Sequence, residues 1–575
     1  MTRYDSSGNV AGTSAVFKNQ GTAGATGPSS PLFSDLPSYT DVAVDWAGRT
    51  TLSQLEAMGD PQAQGKTVTT YNGEKTTVQP AAGSATDTYT DVYGQTARVV
   101  EYSLAGTALT TAYDYTGKGE LSKITDSRGN NTLYGYDWAG QRTSTDDPDA
   151  GVSSTTYDAN GQIDTVTSNA GKNVVSYAYD NLGRTTSIRS GSDELAAWSW
   201  DGSGITNGKG QVFQTTSRDA DGNTYTNKTN GFDTRGRPTS VTTTIPANVT
   251  GLAGSYTTTF GYDAADHVTT VGYPAAGGLA AETVTTAYDS YGHPNRSTSS
   301  LNGTVYVDST TYDDYDRVTS RLYGQKITTS GVNATRTYDY DDTNGTRWLN
   351  KISTTTNINA LISAQQVDAY KYDLTGKITE LREQAGGQTA QSQCFTYGDQ
   401  DRLTRALTTT AASCDGVTAS DYKGTAPFKT VYGYDRMGNL QSIADTGSDG
   451  TIALRDLNYP GYDAAGNWTT ANVDQPHGVT SVVHKTNSTV NSTDTLTYNA
   501  DGTILKRTEP GTGASTAKTT DYTWTKQGQL ATVKTTKSSG SELTRYTYDA
   551  GGNLLTRTSP AATVAYLVLQ SHFVI

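Results

Sequence analysis

A chain of 575 residues is too long for one ordinary hydrophobic core, which predicts either several domains or a repeat array. Only 34 % of the residues belong to the AVILMFWYC set, and 38 of those are Tyr, whereas 60 residues of the chain are Gly. Many short strands with a thin, Tyr-rich core fit this composition better than a filled globule or a disordered linker. The formal charge is −14 and no basic run occurs, which argues against nucleic-acid binding and against electrostatic attachment to anionic lipid.

Residues 1–100 contain mostly degenerate copies of a short motif, Y-D-x-x-G. The strict copy YDSSG begins at Tyr4, and the degenerate copies VDWAG and TDVYG begin at Val44 and Thr90. The chain opens on this motif without an apolar leader, so we expect no signal peptide. No run of eighteen or more apolar residues occurs anywhere, so no membrane span is predicted.

Residues 101–558 are predicted to form the main repeat array. Degenerate copies begin at Phe232, Tyr262, Tyr312, Tyr397 and Tyr498. The strict copies predict structural positions at the Tyr, Asp and Gly of each motif: Tyr113, Asp114, Gly117; Tyr136, Asp137, Gly140; Tyr157, Asp158, Gly161; Tyr179, Asp180, Gly183; Tyr288, Asp289, Gly292; Tyr372, Asp373, Gly376; Tyr434, Asp435, Gly438; Tyr462, Asp463, Gly466; and Tyr548, Asp549, Gly552.

Each motif lies between two stretches in which apolar and polar residues alternate, the pattern of strands with one covered face. The Asp can accept hydrogen bonds from backbone amides of a turn, and the Gly tolerates a positive φ. Each copy therefore predicts a strand, a tight turn and a strand. The Tyr ends a strand, so its ring can lie on the next hairpin while its hydroxyl reaches water or a backbone group. Helix content should be very low.

The two cysteines, Cys394 and Cys414, favour a disulfide. Two buried free thiols are the second interpretation. A redox or metal site is the weakest one, because the spacing is not C-x-x-C and no His lies between them.

No residue pattern predicts catalysis, a metal site or a cofactor. The five histidines show no metal-binding spacing, and the stretches 146–151 and 218–223 are only loosely similar to calcium-binding loops. The motif aspartates recur with every turn, whereas a catalytic pair belongs to one site, so they are predicted to be structural. The seven tryptophans are expected to pack within the wall rather than to stack on sugars. The chain is predicted not to be an enzyme.

Residues 559–575 are predicted to be a terminal strand, TVAYLVLQ, and an atypical tail, SHFVI. The tail lacks any further repeat, which predicts a truncated or partial chain.

The array of Y-D-x-x-G motifs followed by R/N-L-x-x-I-like strands, as in YGYDRMGNLQSIAD and RYTYDAGGNLLTRT, resembles the YD-repeat or RHS-repeat family. That family includes bacterial Rhs-type and wall-associated proteins, encapsulating subunits of toxin complexes, and teneurins. The resemblance implies an all-β array of hairpins that coils into a large spiral β-shell, open or incomplete here. It also implies a C-terminal toxin polypeptide as cargo of the parent protein, which would be extracellular or attached to the cell wall.

The chain departs from toxin-type members because no self-cleaving plug and no toxic tip follow the repeats. Three hypotheses result: a shell segment of a secreted toxin used in intercellular competition, a cell-surface module that binds glycans or mediates adhesion, and an inactive truncated remnant.

Overall fold

The computed structural model describes residues 1–14, 36–57, 59–103, 106–325, 331–358, 361–462, 468–469, 473–511 and 516–566. The predicted positions Asp463 and Gly466 and the tail from residue 567 onward lie outside the described residues.

The described residues form 44 β-strands and one short 3₁₀ turn, Asp399–Asp401, so the predicted all-β array of hairpins is confirmed. The first strands are Thr2–Tyr4, Val10–Thr13, Ser38–Val44, Thr50–Ala57, Asp60–Pro61, Thr67–Asn72, Lys75–Pro80, Thr86–Thr90, Thr96–Tyr102 and Ala108–Tyr115. The next are Leu121–Thr125, Asn131–Tyr136, Arg142–Asp147, Gly151–Tyr157, Ile163–Ser168, Asn173–Tyr179, Thr185–Ser190, Asp193–Trp200, Val212–Arg218, Thr224–Phe232, Pro238–Ile245, Gly254–Tyr262, Val268–Tyr273 and Glu282–Tyr288.

The third group of strands comprises Pro294–Ser299, Val305–Tyr312, Val318–Tyr323, Val332–Tyr340, Leu349–Ile358, Leu361–Tyr372, Ile378–Ala385, Gln391–Tyr397, Leu403–Thr409, Lys429–Tyr434, Leu440–Thr446 and Ile452–Asn458. The last strands are Ser481–Thr486, Thr489–Tyr498, Ile504–Glu509, Lys518–Trp524, Leu530–Lys537, Gly540–Tyr548, Leu554–Thr558 and Thr563–Ala565.

Most consecutive strands pair antiparallel, and the register shifts by one residue next to the motif tyrosine. Tyr179 pairs with Thr185 while Ala178 pairs with Ser187, and the same shift occurs at Tyr548. A tight turn followed by a residue with positive φ creates this bulge and increases the local twist of the hairpin.

The chain divides into two compact units, each of which combines two segments that are far apart in sequence. Unit 1 contains residues 1–113 and 286–454, and unit 2 contains residues 114–285 and 455–575. Contacts between the paired segments decide this division. The division of the repeat pattern at residues 100 and 558 remains a prediction.

In unit 1 the early segment meets the later one through small residues and backbone groups. The Gly65 amide donates to the carbonyl of Leu374 over 3.3 Å. Gly345 has a φ of +66°, and a Cβ added to it would lie 2.7 Å from the Cβ of Ser38 and 3.0 Å from that of Ala57. The close approach of the two segments therefore requires glycine at this position.

Among its described residues, unit 2 has two clusters of buried apolar residues, and both join its two segments. One cluster consists of Val175, Ile188, Ala196 and Ala550. The other consists of Tyr225, Ile245 and Leu555. Polar contacts accompany them; for example, the Lys526 ammonium donates to the carbonyl of Lys172 over 2.8 Å.

Candidate functional site

The repeated turn is built around one carboxylate, and Asp180 shows its geometry. The Asp180 amide donates to the carbonyl of Arg184, and the Gly183 amide donates to the carbonyl of Asp180, both over 2.9 Å. The Oδ1 atom of Asp180 accepts the amides of Leu182 and Arg184 over 2.9 and 3.0 Å. The hydrogen bond from the Arg184 amide is the main reason that the pKa of Asp180 lies below its ordinary value.

The same carboxylate-to-amide bond recurs at the other strict copies whose turns the structure describes, with one exception. In these turns the Asp Oδ1 atom accepts the amide of the residue four positions later, and the Gly has a positive φ. The aspartates are Asp5, Asp137, Asp158, Asp289, Asp373, Asp435 and Asp549. The glycines are Gly8, Gly140, Gly161, Gly292, Gly376, Gly438 and Gly552.

The exception corrects the predicted turn at Tyr113, Asp114 and Gly117. The strand Ala108–Tyr115 runs through the first two of these residues, so they do not form a turn. The Asp114 carboxylate instead pairs with the Lys123 ammonium at 2.7 Å. Gly117 is not among the glycines with positive φ.

The turn begins two residues later, at Thr116, where a threonine occupies the first position that an aspartate has in the other turns. The Thr116 hydroxyl oxygen accepts the amides of Lys118 and Glu120, each over 3.2 Å. Gly119 has the positive φ, +88°. A hydroxyl oxygen can accept the same backbone amides that a carboxylate accepts, so the turn survives the loss of its Asp.

Most of the motif tyrosines connect their hairpin to the preceding one. The Tyr179 hydroxyl donates to the carbonyl of Ile163 over 2.9 Å, and the Trp200 indole N–H donates to the carbonyl of Thr185 over the same distance. Burial raises the pKa of the Tyr179 phenol. The same type of bond is made by Tyr71, Tyr136, Tyr157, Tyr262, Tyr312, Tyr340, Tyr372, Tyr397, Tyr434, Tyr498, Trp524 and Tyr548.

The residue directly after the motif Gly connects neighbouring turns, and sequence reasoning missed this role. The Arg184 guanidinium donates to its own Asp180 and to Asp201 of the next turn, over 2.7 and 2.6 Å. It also lies 4.7 Å from the ring centre of Trp200, within range of a cation–π contact. The signal was present in the sequence, because Arg, Asn, Gln, His or Lys follows many of the motif glycines.

The four histidines that the structure describes each contact a carboxylate. His293 contacts Asp289 of its own turn and Asp316 of the next turn, at 3.2 and 3.3 Å. His477 lies 2.6 Å from the Asp149 carboxylate. Within the described part of the chain no group of three or more His, Cys, Asp or Glu side chains could hold a metal ion, and no helix is long and apolar enough to cross a membrane.

Two tryptophans contradict the expectation that tryptophans pack within the wall. Trp46 and Trp138 follow the Asp of their turns, and 95 % and 88 % of their surface is exposed. Trp200 and Trp524 replace the motif Tyr and do pack on the neighbouring hairpin. The position within the motif therefore decides burial, not the residue type.

In the structure Cys394 and Cys414 form a disulfide. It holds the long connection 410–428 beside a buried carboxylate, that of Glu380, which is 2 % exposed. The Glu380 oxygens accept the Ser392 hydroxyl, the Cys414 amide and the Lys371 ammonium over 2.8, 3.1 and 2.9 Å. Burial alone would raise the pKa of Glu380, but these hydrogen bonds hold it below its ordinary value.

Residues 524–564 match the RHS-repeat family model, which confirms the predicted resemblance to RHS-repeat proteins. A comparison with curated protein sequences gives no match. Among solved structures, TcdB2-TccC3-TEV aligns with 96 % of this chain at 16 % identity and a TM-score of 0.63. TcdB2-TccC3 without its hypervariable C-terminal region aligns with 96 % of this chain at 14 % identity and a TM-score of 0.62. A Photorhabdus luminescens Tc holotoxin pore aligns with 90 % of this chain at 14 % identity and a TM-score of 0.57.

This chain spans 32, 31 and 30 % of the length of those three chains, in the order given. The likeness establishes a common fold over that length. Together with the RHS repeat, it supports a structural role for the hairpins.

Proposed function

We propose that this chain, which carries an RHS repeat and has the fold of the TcdB2-TccC3 structures, is a non-catalytic wall segment of a secreted bacterial RHS-type toxin protein. The wall would form a shell around a C-terminal toxin polypeptide of the parent protein. The parent protein would act outside the producing cell. The observation that carries this proposal is the recurrent bond from a motif Tyr or Trp to the preceding hairpin, which repeats from Tyr136 to Tyr548.

The turn that begins at Asp158 illustrates chemistry that supports a structural role, because its polar groups form hydrogen bonds within the turn or with a neighbouring hairpin. The Asp158 carboxylate accepts the backbone amides of Asn160 and Gln162 in its own turn, and the side-chain amide of Gln162 donates to the carbonyl of Gly183 in the next turn. The Tyr179 hydroxyl is bonded to a backbone carbonyl. Groups used in this way connect hairpins and are not free to act as an acid, a base or a nucleophile.

The composition of the strands also supports a wall rather than a filled core. Strands such as Gly151–Tyr157 alternate between exposed and half-buried residues, and threonine and serine fill many of these positions. A wall that faces water or a polypeptide on each side needs less apolar surface than a globule. Stability then comes from contacts between neighbouring hairpins, as in other repeat proteins.

Protease protection in the full-length parent protein tests the shell. The C-terminal polypeptide should resist digestion in the intact protein and become sensitive after Leu555→Ala, which weakens a buried cluster of the wall. Leu505→Ala, at an exposed strand position, should leave the protection unchanged. Equal sensitivity of the C-terminal polypeptide in all three proteins would contradict the proposal.

A further inference from the structure

One turn of unit 1 carries an arginine without the carboxylate that such arginines have elsewhere. Residues 397–402, YGDQDR, align with the motif, but Gly398 replaces the Asp. The hairpin still closes in the usual way, because the Gly398 amide donates to the carbonyl of Arg402 over 2.9 Å. Arg402 therefore occupies the position that follows the motif Gly, with no Asp side chain in the first position of its turn.

Four other arginines at this position form a bond to the Asp of their own turn, and Arg402 lacks this bond. Their Nε atoms donate to the Oδ2 atom of the Asp in their own turn over 2.7 to 2.8 Å, and this holds for Arg49, Arg184, Arg237 and Arg317. The Arg402 guanidinium instead donates two long hydrogen bonds, to the carbonyls of Asp435 and Met437 at 3.5 and 3.4 Å, and it lies 5.7 Å from the ring centre of Tyr434. No ion pair of Arg402 occurs among the described residues.

The guanidinium of Arg402 lines a cavity of about 280 Å³ within unit 1. A second guanidinium, that of Arg436, lines the same cavity and likewise has no ion pair among the described residues. The lining carboxylate of Asp435 is bonded to the amide and the side chain of Asn439, over 2.8 and 3.1 Å. The two arginines and this aspartate leave one net positive charge.

Most of the remaining lining residues contribute hydroxyl groups or aromatic rings, and Leu109 and Gln400 complete the lining. Tyr432 and Tyr434 contribute the rings, and the Tyr434 hydroxyl donates to the carbonyl of Leu403 over 3.0 Å. Ser103, Thr107 and Thr404 line the cavity as well. Flat rings beside hydroxyl groups can contact the apolar face and the hydroxyls of a sugar ring at the same time.

We propose that this cavity binds a sugar acid of monosaccharide size, whose carboxylate pairs with the guanidinium of Arg402. The ligand carboxylate takes the place that the turn Asp fills beside Arg184 and Arg237, and an arginine fork binds a carboxylate with two parallel hydrogen bonds. The single net charge of the lining matches one carboxylate. A cavity of this volume has room for one sugar unit. The site is independent of the proposed shell.

Calorimetric titration of the chain with D-glucuronate tests the site, with D-glucose and a triglutamate peptide as comparisons. We expect saturable binding of one glucuronate per chain, and at least about tenfold weaker binding of glucose, because glucose lacks the carboxylate. Arg402→Gln should weaken glucuronate binding by at least about tenfold. The matched control is Arg235→Gln, which removes an exposed turn arginine of unit 2 and should leave binding unchanged.

A second variant, Gly398→Asp, fills the vacant position from within the chain. A Cβ at this position would lie 2.7 Å from Thr404 Cγ2, but Asp233 coexists with a threonine at the same spacing, Thr239. Gly398→Asp should therefore fold, keep at least the thermal midpoint of the wild type, and lose glucuronate binding.

Three results would overturn the proposal. The first is no saturable binding of glucuronate to the wild-type chain, and the second is binding that persists unchanged in both Arg402→Gln and Gly398→Asp. The third is Arg402-dependent binding of the triglutamate peptide without binding of glucuronate, which would assign the cavity to acidic protein segments.

Discussion

The most buried parts of the two units are covered in different ways. In unit 2 the cluster around Leu555, which is 1 % exposed, brings together Tyr225 and Ile245 from strands about 300 residues earlier. In unit 1 the buried strand Leu403–Thr409 is covered by the connection that directly follows it, residues 410–428. For example, the backbone amide of Lys423 donates to the Thr408 carbonyl over 2.8 Å.

The difference shows how a chain with few apolar residues builds interior surface. One solution brings distant hairpins into apolar contact, which stabilises the fold only after both segments are in place. The other uses a local connection held by the disulfide between Cys394 and Cys414, which needs little apolar surface. A small core is commonly supplemented by such a covalent link.

The largest expected effect is on the apolar cluster of unit 2. Leu555→Ala removes a fully buried side chain and should lower the free energy of unfolding by about 2 to 5 kcal/mol. Leu505→Ala, at a position that is 45 % exposed, should change it by less than about 0.5 kcal/mol. Chemical denaturation measures both variants, and equal effects would contradict the role of the cluster.

Removal of the disulfide in unit 1 should have the second-largest effect on stability. Cys394→Ser combined with Cys414→Ser opens a link with a sequence separation of 20 residues, and for a loop of that size we expect a loss of about 3 kcal/mol. Hydrogen exchange should increase mainly in residues 410–428. A reductant should reproduce this change in the wild type and have no effect on the double variant. Faster exchange spread evenly over the chain would show that the connection is not held locally.

The buried carboxylate beside the disulfide should make unit 1 sensitive to acid. The folded pKa of Glu380 lies below its ordinary value, so its stabilising contribution is present above the ordinary carboxylate range, about pH 4.3, and is lost as the pH falls through the folded pKa. Glu380→Gln should cost about 1.5 to 3 kcal/mol at neutral pH, because it removes hydrogen bonds to a charged group.

The pH dependence separates this effect from a general loss of packing. The difference in unfolding free energy between wild type and Glu380→Gln should shrink as the pH falls below about 4.3. A difference that stays constant down to low pH would show that the charge of Glu380 does not stabilise the fold.

The smallest expected effect concerns one bond between hairpins. Tyr179→Phe removes the hydroxyl that donates to the Ile163 carbonyl and should cost about 0.5 to 1.5 kcal/mol. Tyr177→Phe is the matched control on the same strand, because no hydrogen bond of its hydroxyl occurs among the described residues. If the two variants lose equal stability, the hydroxyl bond does not connect the hairpins.

Much of the local structure could be predicted because the motif specifies it through contacts within a few residues. Asp180 and Gly183 illustrate this, since a carboxylate beside backbone amides and a residue that tolerates positive φ are sufficient for the turn. The prediction failed at Asp114 because Thr116 provides an equivalent oxygen two residues later. The strict match to Y-D-x-x-G at Tyr113 favoured Asp114 over this threonine as the start of the turn.

The candidate sugar-acid site could not be predicted from the sequence. The absence of an Asp at Gly398 is visible there, but the cavity depends on Ser103 and Thr107 lying beside the turn of Arg402. Those residues are about 300 positions apart, and nothing in a repeat pattern states which copies come together.

The sequence by itself determined that this protein is an array of β-hairpins with recurrent tyrosines, because turn chemistry and alternation act over a few residues. The tertiary structure decided which hairpins meet, where the apolar clusters lie and which residues form a cavity beside Arg402. Those outcomes depend on the close approach of segments hundreds of residues apart, as at Gly345 and Ser38, and the backbone must coil before such contacts exist.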